Sequence, residues 1–163
     1  MDTRWLTAEE RTTWLRLIAV VELLPGVLES QLRRDSDLSH FEYFVLTGLS
    51  ESSDRTLRMT SLAKRTNATL ARLSHVVRRL ENRGLVERVP CPTDARATNA
   101  VLTDMGWKEV VSAAPGHVDT VRRVVLDPLT SEQLVQLRTI ADTLLPRLDP
   151  NGNLTELYEP GTR

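Results

Sequence analysis

A single cysteine, Cys91, stands among the 163 residues. One thiol cannot build a disulfide framework within the chain, which fits a reducing compartment. No apolar run approaches the roughly 18 residues of a membrane span. Residues 1–10 mix acidic and basic side chains and lack the apolar core of a signal peptide. There is no glycine-rich phosphate loop, no metalloprotease spacing and no nucleophile elbow. These absences predict a cytoplasmic protein that is not an enzyme, with no cofactor, no metal centre and no membrane partner. What is present is ordinary for a soluble globular chain: 40% hydrophobic and 26% charged residues. The length suits one domain, or one domain with an appended oligomerisation element.

The net charge of −1 does not by itself suggest nucleic acid. Its distribution does. From Arg55 to Arg96 ten cations face three anions, Glu81, Glu87 and Asp94. This basic middle lies between acidic ends, as in a DNA-reading module carried on a larger scaffold.

Apolar residues Trp14, Leu17, Ile18, Val21, Leu24, Leu28 and Leu32 recur at three- and four-residue steps, predicting a helix over 8–34. Pro25-Gly26 predicts a kink or break in it. Ser39 and Glu42 form a capping box for a helix to about Leu49, with Leu38 stapling onto Tyr43. Residues 50–56 are polar and read as a loop. A short helix, 61–65, capped by Thr60, and a three-residue turn lead to a helix over 69–82. Thr69 caps that helix, Gly84 ends it, and Leu70, Leu73, Val76, Val77 and Leu80 face inward. Two helices around so tight a turn fit a helix-turn-helix. Residues 85–89 and 96–102 then predict two strands around a tip at 90–95, the wing. Thr103 caps a helix to about Leu126, kinked at Pro115-Gly116. Thr130 and Gln133 cap a last helix ending near Pro146. The fold class is therefore mainly α with a small β-hairpin wing.

A recognition helix points its N-terminal residues at base edges in the major groove. Thr69, Arg72, Ser74 and His75 occupy that place, and Arg72 can bond guanine bidentately. Arg78 and Arg79 lie farther along and suit phosphates. A surface pairing of Arg79 and Arg83 with Glu81 or Glu87 is the plainer alternative. Arg96 in the wing suits the narrow minor groove of A·T-rich DNA. Asp94 either orients an arginine, Arg96 or one on the recognition helix, or closes an Asx-turn, and the two roles are compatible.

Several pieces at these spacings resemble the signature of the multiple-antibiotic-resistance regulator (MarR) family. They are Leu62-Ala63, the run Leu80-Glu81-Asn82-Arg83-Gly84-Leu85-Val86, Asp94-Ala95-Arg96, and Leu102-Thr103 with Gly106. The resemblance implies a homodimer on a double-stranded, palindromic operator, its two recognition helices about one DNA turn, roughly 34–36 Å, apart. It implies a winged helix-turn-helix domain at 37–102 and dimerisation helices at 1–36 and 103–148; residues 149–163, polar and containing Pro and Gly, read as a frayed, flexible tail. It also implies that Arg96 enters the minor groove and that Asp94 holds the wing. Many family members are repressors released by a small aromatic ligand. A pocket for such an effector would draw on Trp14, Leu17, His40, Tyr43 and Phe44, although a plain core role for these residues is favoured. Other members sense oxidants or metals. Cys91 at the wing, and His40, Glu42 and His117 on the helices, are the residues to weigh. The cysteine lies far from where oxidant sensors place theirs, and no second histidine follows His117 one turn later. A winged-helix module that binds protein instead of DNA is the alternative of a different class.

Overall fold

The computed structural model describes residues 3–155. Helix α1 (Ala8–Ser36) opens on a capping box between Thr7 and Glu10. It runs unbroken through Pro25, where a kink or break is predicted. The carbonyl that Pro25 leaves without a helical donor belongs to Val21, on an exposed stretch of the helix. Helix α2 (His40–Ser50) carries the predicted capping box: the Ser39 hydroxyl accepts from the Glu42 N–H, and Glu42 Oε2 accepts from the Ser39 N–H at 2.7 Å.

The predicted loop at 50–56 hides a strand. A single tight turn at Ser53–Arg55 leads into β1 (Thr56–Arg58). Three residues hold no readable alternation, so this strand exists through its antiparallel pairing with β3. Helix α3 (Met59–Arg65) starts earlier than predicted, with Arg58 at the cap position and no side-chain cap, so Thr60 does not cap it. Helix α4 (Leu70–Asn82) is capped by Thr69, whose Oγ1 accepts from the Arg72 N–H at 3.2 Å. Leu73, Val76, Val77 and Leu80 face the core, but Leu70 is 47% exposed. As the first residue of the helix it lies beyond the core, on the side nearest the wing.

The wing strands are longer than predicted. β2 (Val86–Cys91) and β3 (Asp94–Leu102) leave a tip of only Pro92-Thr93, and the sheet order is β1-β3-β2. Pro90 pairs with Thr98 and Cys91 with Asp94, so Ala95, Arg96 and Ala97 bulge out of β3. Pro90 has no N–H to give, and the ladder breaks there at little loss.

Helix α5 (Asp104–Val121) continues without a break through Pro115, again on an exposed face, into one wide turn at Arg122–Leu126. Helix α6 (Ser131–Leu148) has the predicted Thr130/Gln133 box and buries none of its residues. Beyond it the predicted frayed tail starts as an ordered turn. Asp149 accepts from the Asn153 and Leu154 N–H groups at 2.8 and 2.7 Å. Residues 156–163 of that tail lie outside the described residues.

Leucines from α1 to β3 meet in one core, with Leu32, Leu46, Leu49, Leu62, Leu73 and Leu80 fully buried. Thr103 joins the end of α4 to the start of α5. Its hydroxyl donates to Gly84 O at 2.7 Å and accepts from the Gly106 N–H at 3.0 Å. The helices come so close here that a Cβ on Gly106 would lie 2.1 Å from Leu85 O. Gly106→Ala must push backbone apart, and a loss of about 1–3 kcal/mol in denaturant unfolding is expected.

A ring cluster fills the junction of α1, α2 and α5. The His40 and His117 rings stack at 6.3 Å, and Tyr43 lies 4.7 Å from His117. Burial pushes both histidines below their ordinary value of 6.5; the neighbouring His40 depresses His117 further, while Glu29 partly opposes the shift of His40. The unfolded chain therefore takes up these protons first. Stability is full above pH 6.5 and falls as the pH drops below it. Urea midpoints from pH 7.5 to 5.5 should decline in the natural chain and decline less in His117→Gln. Equal slopes would remove the histidine from the effect.

Candidate nucleic-acid interface

Helical phase divides the polar residues of α4 into three flanks. Opposite the buried stripe, His75 and Arg78 point straight out, and both are exposed. Toward the wing lie Leu70, Ser74 and Glu81. Glu81 holds β2 through Arg88, whose Nε and Nη2 donate to Glu81 Oε2 at 3.0 and 2.8 Å. Those bonds hold the Glu81 carboxyl below its ordinary range. Toward α2 lie Arg72 and Arg79.

The α2 flank is engaged by protein. The Arg72 guanidinium sits 4.1 Å over the Phe41 ring. Arg79 Nη2 lies 2.9 Å from Glu42 Oε1, an ion pair with a carboxylate that is 1% exposed. The approach is off the hydrogen-bonding line, so Oε1 is a buried oxygen held by charge alone. Arg33 of α1 adds a second cation at 3.9 Å. The partner of Arg79 is thus neither Glu81 nor Glu87. Arg83 donates to Asp37 O at 3.0 Å and fastens the end of α4 to the C-terminal cap of α1.

The wing is ordered from β1. Asp94 Oδ1 accepts from the Arg96 N–H at 3.1 Å, the predicted Asx-turn. Its Oδ2 lies 3.8 Å from Arg58 Nη1, and Arg58 Nη2 donates to Thr93 at 3.2 Å. The arginine that Asp94 meets is therefore Arg58, from the strand that sequence reading missed. Arg96 itself projects from the bulge. Among the described residues, the side chains of Arg78, Arg96 and Lys64 form no hydrogen bond or ion pair, although the charge of Arg78 helps to lower the Glu81 pKa. Cys91 is buried beneath the tip, 3.4 Å from Thr93 Oγ1. Bonding to Thr93, with a smaller contribution from Arg58, lowers its pKa.

The five residues considered for an effector pocket do not come together within one chain. His40 and Tyr43 join His117, and Phe44 is partly buried beside them on α2. Trp14 and Leu17 stand exposed on α1. They lie roughly 18 Å or more along the helix axis from Glu29, which accepts the His40 N–H. No group of three or more His, Cys, Asp or Glu among the described residues could hold a metal ion. No helix among them is long and apolar enough to cross a membrane.

A family model, MarR family, matches residues 38–98, from the start of α2 to the wing. The chain is 46% identical to Sco3205 of Streptomyces coelicolor, a MarR family transcriptional regulator solved in complex with DNA. The likeness covers 92% of this chain and 94% of that one, with a TM-score of 0.88. It is 38% identical to AbsC, a MarR family transcriptional regulator of the same organism, over 91% of this chain and all of that one, with a TM-score of 0.87. A curated relative, the HTH-type transcriptional regulator YdcH of Bacillus subtilis, is 32% identical over 81 residues, and the match spans 48% of this chain and about half, 55%, of that protein. A helix-turn-helix with an ordered wing, shared over nearly the whole chain with these regulators, places it by descent as well as by shape: the chain belongs to the MarR family of transcriptional regulators.

Proposed function

We propose that the protein is a repressor that binds a pseudo-palindromic DNA operator as a homodimer. The observation that carries this reading is the pair Arg78 and Arg96. One lies on the outward face of α4 and the other on the wing, and neither guanidinium forms a hydrogen bond or ion pair among the described residues. Two such cations on one face fit a major groove and the adjacent minor groove. The likeness to Sco3205, solved with DNA, supports the same reading. Thr69, Ser74 and His75 supply hydrogen-bonding groups for bases. Arg72 and Arg79, held at the α2 flank, suit phosphates of the backbone.

The dimer reading rests on apolar faces that nothing among the described residues covers. Trp14 is 51% exposed on α1 and Ile140 57% exposed on α6, with Val20, Val21, Val135 and Leu137 beside them in the same state. Patches of this extent on a soluble chain mark an interface. A second copy would cover them and set two recognition helices one DNA turn apart. A small aromatic effector acting at the α1–α2–α5 junction would provide release. There His117 Nδ1 and Gln31 Oε1 are buried without hydrogen-bond partners.

Selection from a randomised duplex library should yield a palindrome, and binding to it should weaken steeply with salt. Arg96→Ala should reduce affinity while the dimer persists. Arg72→Ala should weaken binding evenly over all sequences, because its stacking on Phe41 keeps it at the flank. Relaxation at one base position would return Arg72 to base reading. Salt-independent binding, or no selected motif, would favour a protein partner. Ile140→Glu should shift the sedimentation of the free protein toward monomer, and an unchanged dimer would move the interface elsewhere.

A further inference from the structure

Leu70 is an aliphatic side chain where the surface otherwise prepares for phosphates. It is the first residue of α4 and borders a cleft of about 220 Å³ between this helix and the wing. Arg58, Arg88 and Arg96 rim the cleft, and Met59 and Ser74 share its wall. The dimer faces of α1 and α6 do not reach it, and the core stripe of α4 excludes it. Arg58 and Arg88 are paired with Asp94 and Glu81, whereas Arg96 forms no hydrogen bond or ion pair among the described residues, so the rim offers Arg96 to an anionic partner while Leu70 suits an apolar group. B-DNA offers both together: in the major groove the C5-methyl of thymine is the apolar feature of the base edges, displayed between two rows of phosphates. Residues at the N-terminus of a recognition helix lie nearest those edges.

We infer that Leu70 is a specificity-determining residue that packs on a thymine C5-methyl in each half-site. The inference rests on the DNA-binding reading above and deepens it, because it names a base the protein selects. Ser74, one turn further on the same flank, is placed to donate to an acceptor on the same or the next base pair.

The test removes only the methyl. The probe is the duplex that the natural protein selects from a randomised library. Each thymine in turn is replaced by deoxyuridine, symmetrically in both half-sites, and affinity is measured for the natural protein and for Leu70→Ala. Loss of one buried methyl should weaken the natural protein about fourfold per half-site, and so roughly 15-fold for the pair. At that position Leu70→Ala should bind the thymine and deoxyuridine duplexes alike. Leu70 is half exposed, so the variant should keep its unfolding midpoint, and that measurement accompanies the binding data. Either of two results overturns the inference: if no thymine is sensitive, no methyl is read, and if the sensitivity survives undiminished in Leu70→Ala, another residue, such as Ala71, reads it. Failure to select any duplex would be distinct: it would sink the DNA-binding reading and this inference with it.

Discussion

One buried carboxylate ties the reading head to the rest of the molecule. Glu42 caps α2 from within, attracts Arg79 of the recognition helix and receives Arg33 of α1. A charge removed from water at that depth is tolerable only with cations at hand and hydrogen bonds to its oxygens. Glu42 therefore holds three helices to one point, and any of them can shift only by uncovering or stranding the charge. The pair is weak as a source of stability and strong as a constraint on geometry. Glu29 repeats the pattern one turn of α1 earlier, binding Arg33 and the His40 N–H at 3.0 and 2.6 Å. Although burial opposes it, those bonds and the nearby positive charge keep the Glu29 carboxyl below its ordinary range. The ring cluster at the α1–α2–α5 junction is thus linked to the recognition helix through a continuous set of polar contacts.

That constraint sorts the arginines by role. A count of positive charge treats Arg72, Arg78, Arg79, Arg88 and Arg96 alike. In the fold, Arg88 is a structural tie, Arg79 ties α4 to Glu42 while staying half exposed, Arg72 lies on an aromatic ring, and Arg78 and Arg96 form no hydrogen bond or ion pair among the described residues. A surface that binds a polyanion needs both kinds: some cations hold the recognition helix and wing in place, and others meet the ligand.

Local rules made much of this legible in the sequence. The caps at Ser39, Thr69, Thr103 and Thr130 are short-range hydrogen bonds, written within three residues, and each appears as predicted. The inward stripe from Leu73 to Leu80 follows from helical period. What escaped reading depends on distant segments. β1 has three residues and needs β3 to exist. Glu42 looked like a capping residue and nothing in its neighbourhood announced Arg79, which arrives from 37 positions away in sequence. Period alone turned Leu70 inward, because a periodic count does not know where the core ends. Pro25 and Pro115 suggested a break as well as a kink, and both helices continue through them.

The bulge at Ala95, Arg96 and Ala97 has a consequence for how such a protein can change over generations. The strand ladder is complete on either side of it, from Thr98 to Leu102 and at the Cys91–Asp94 closure. Residues can be gained or lost within the bulge without shifting register anywhere else. The reach of Arg96 is thus a length that can drift by single insertions while the remainder of the fold stays under selection for packing. A duplicated gene could acquire a different groove contact before altering a single core residue.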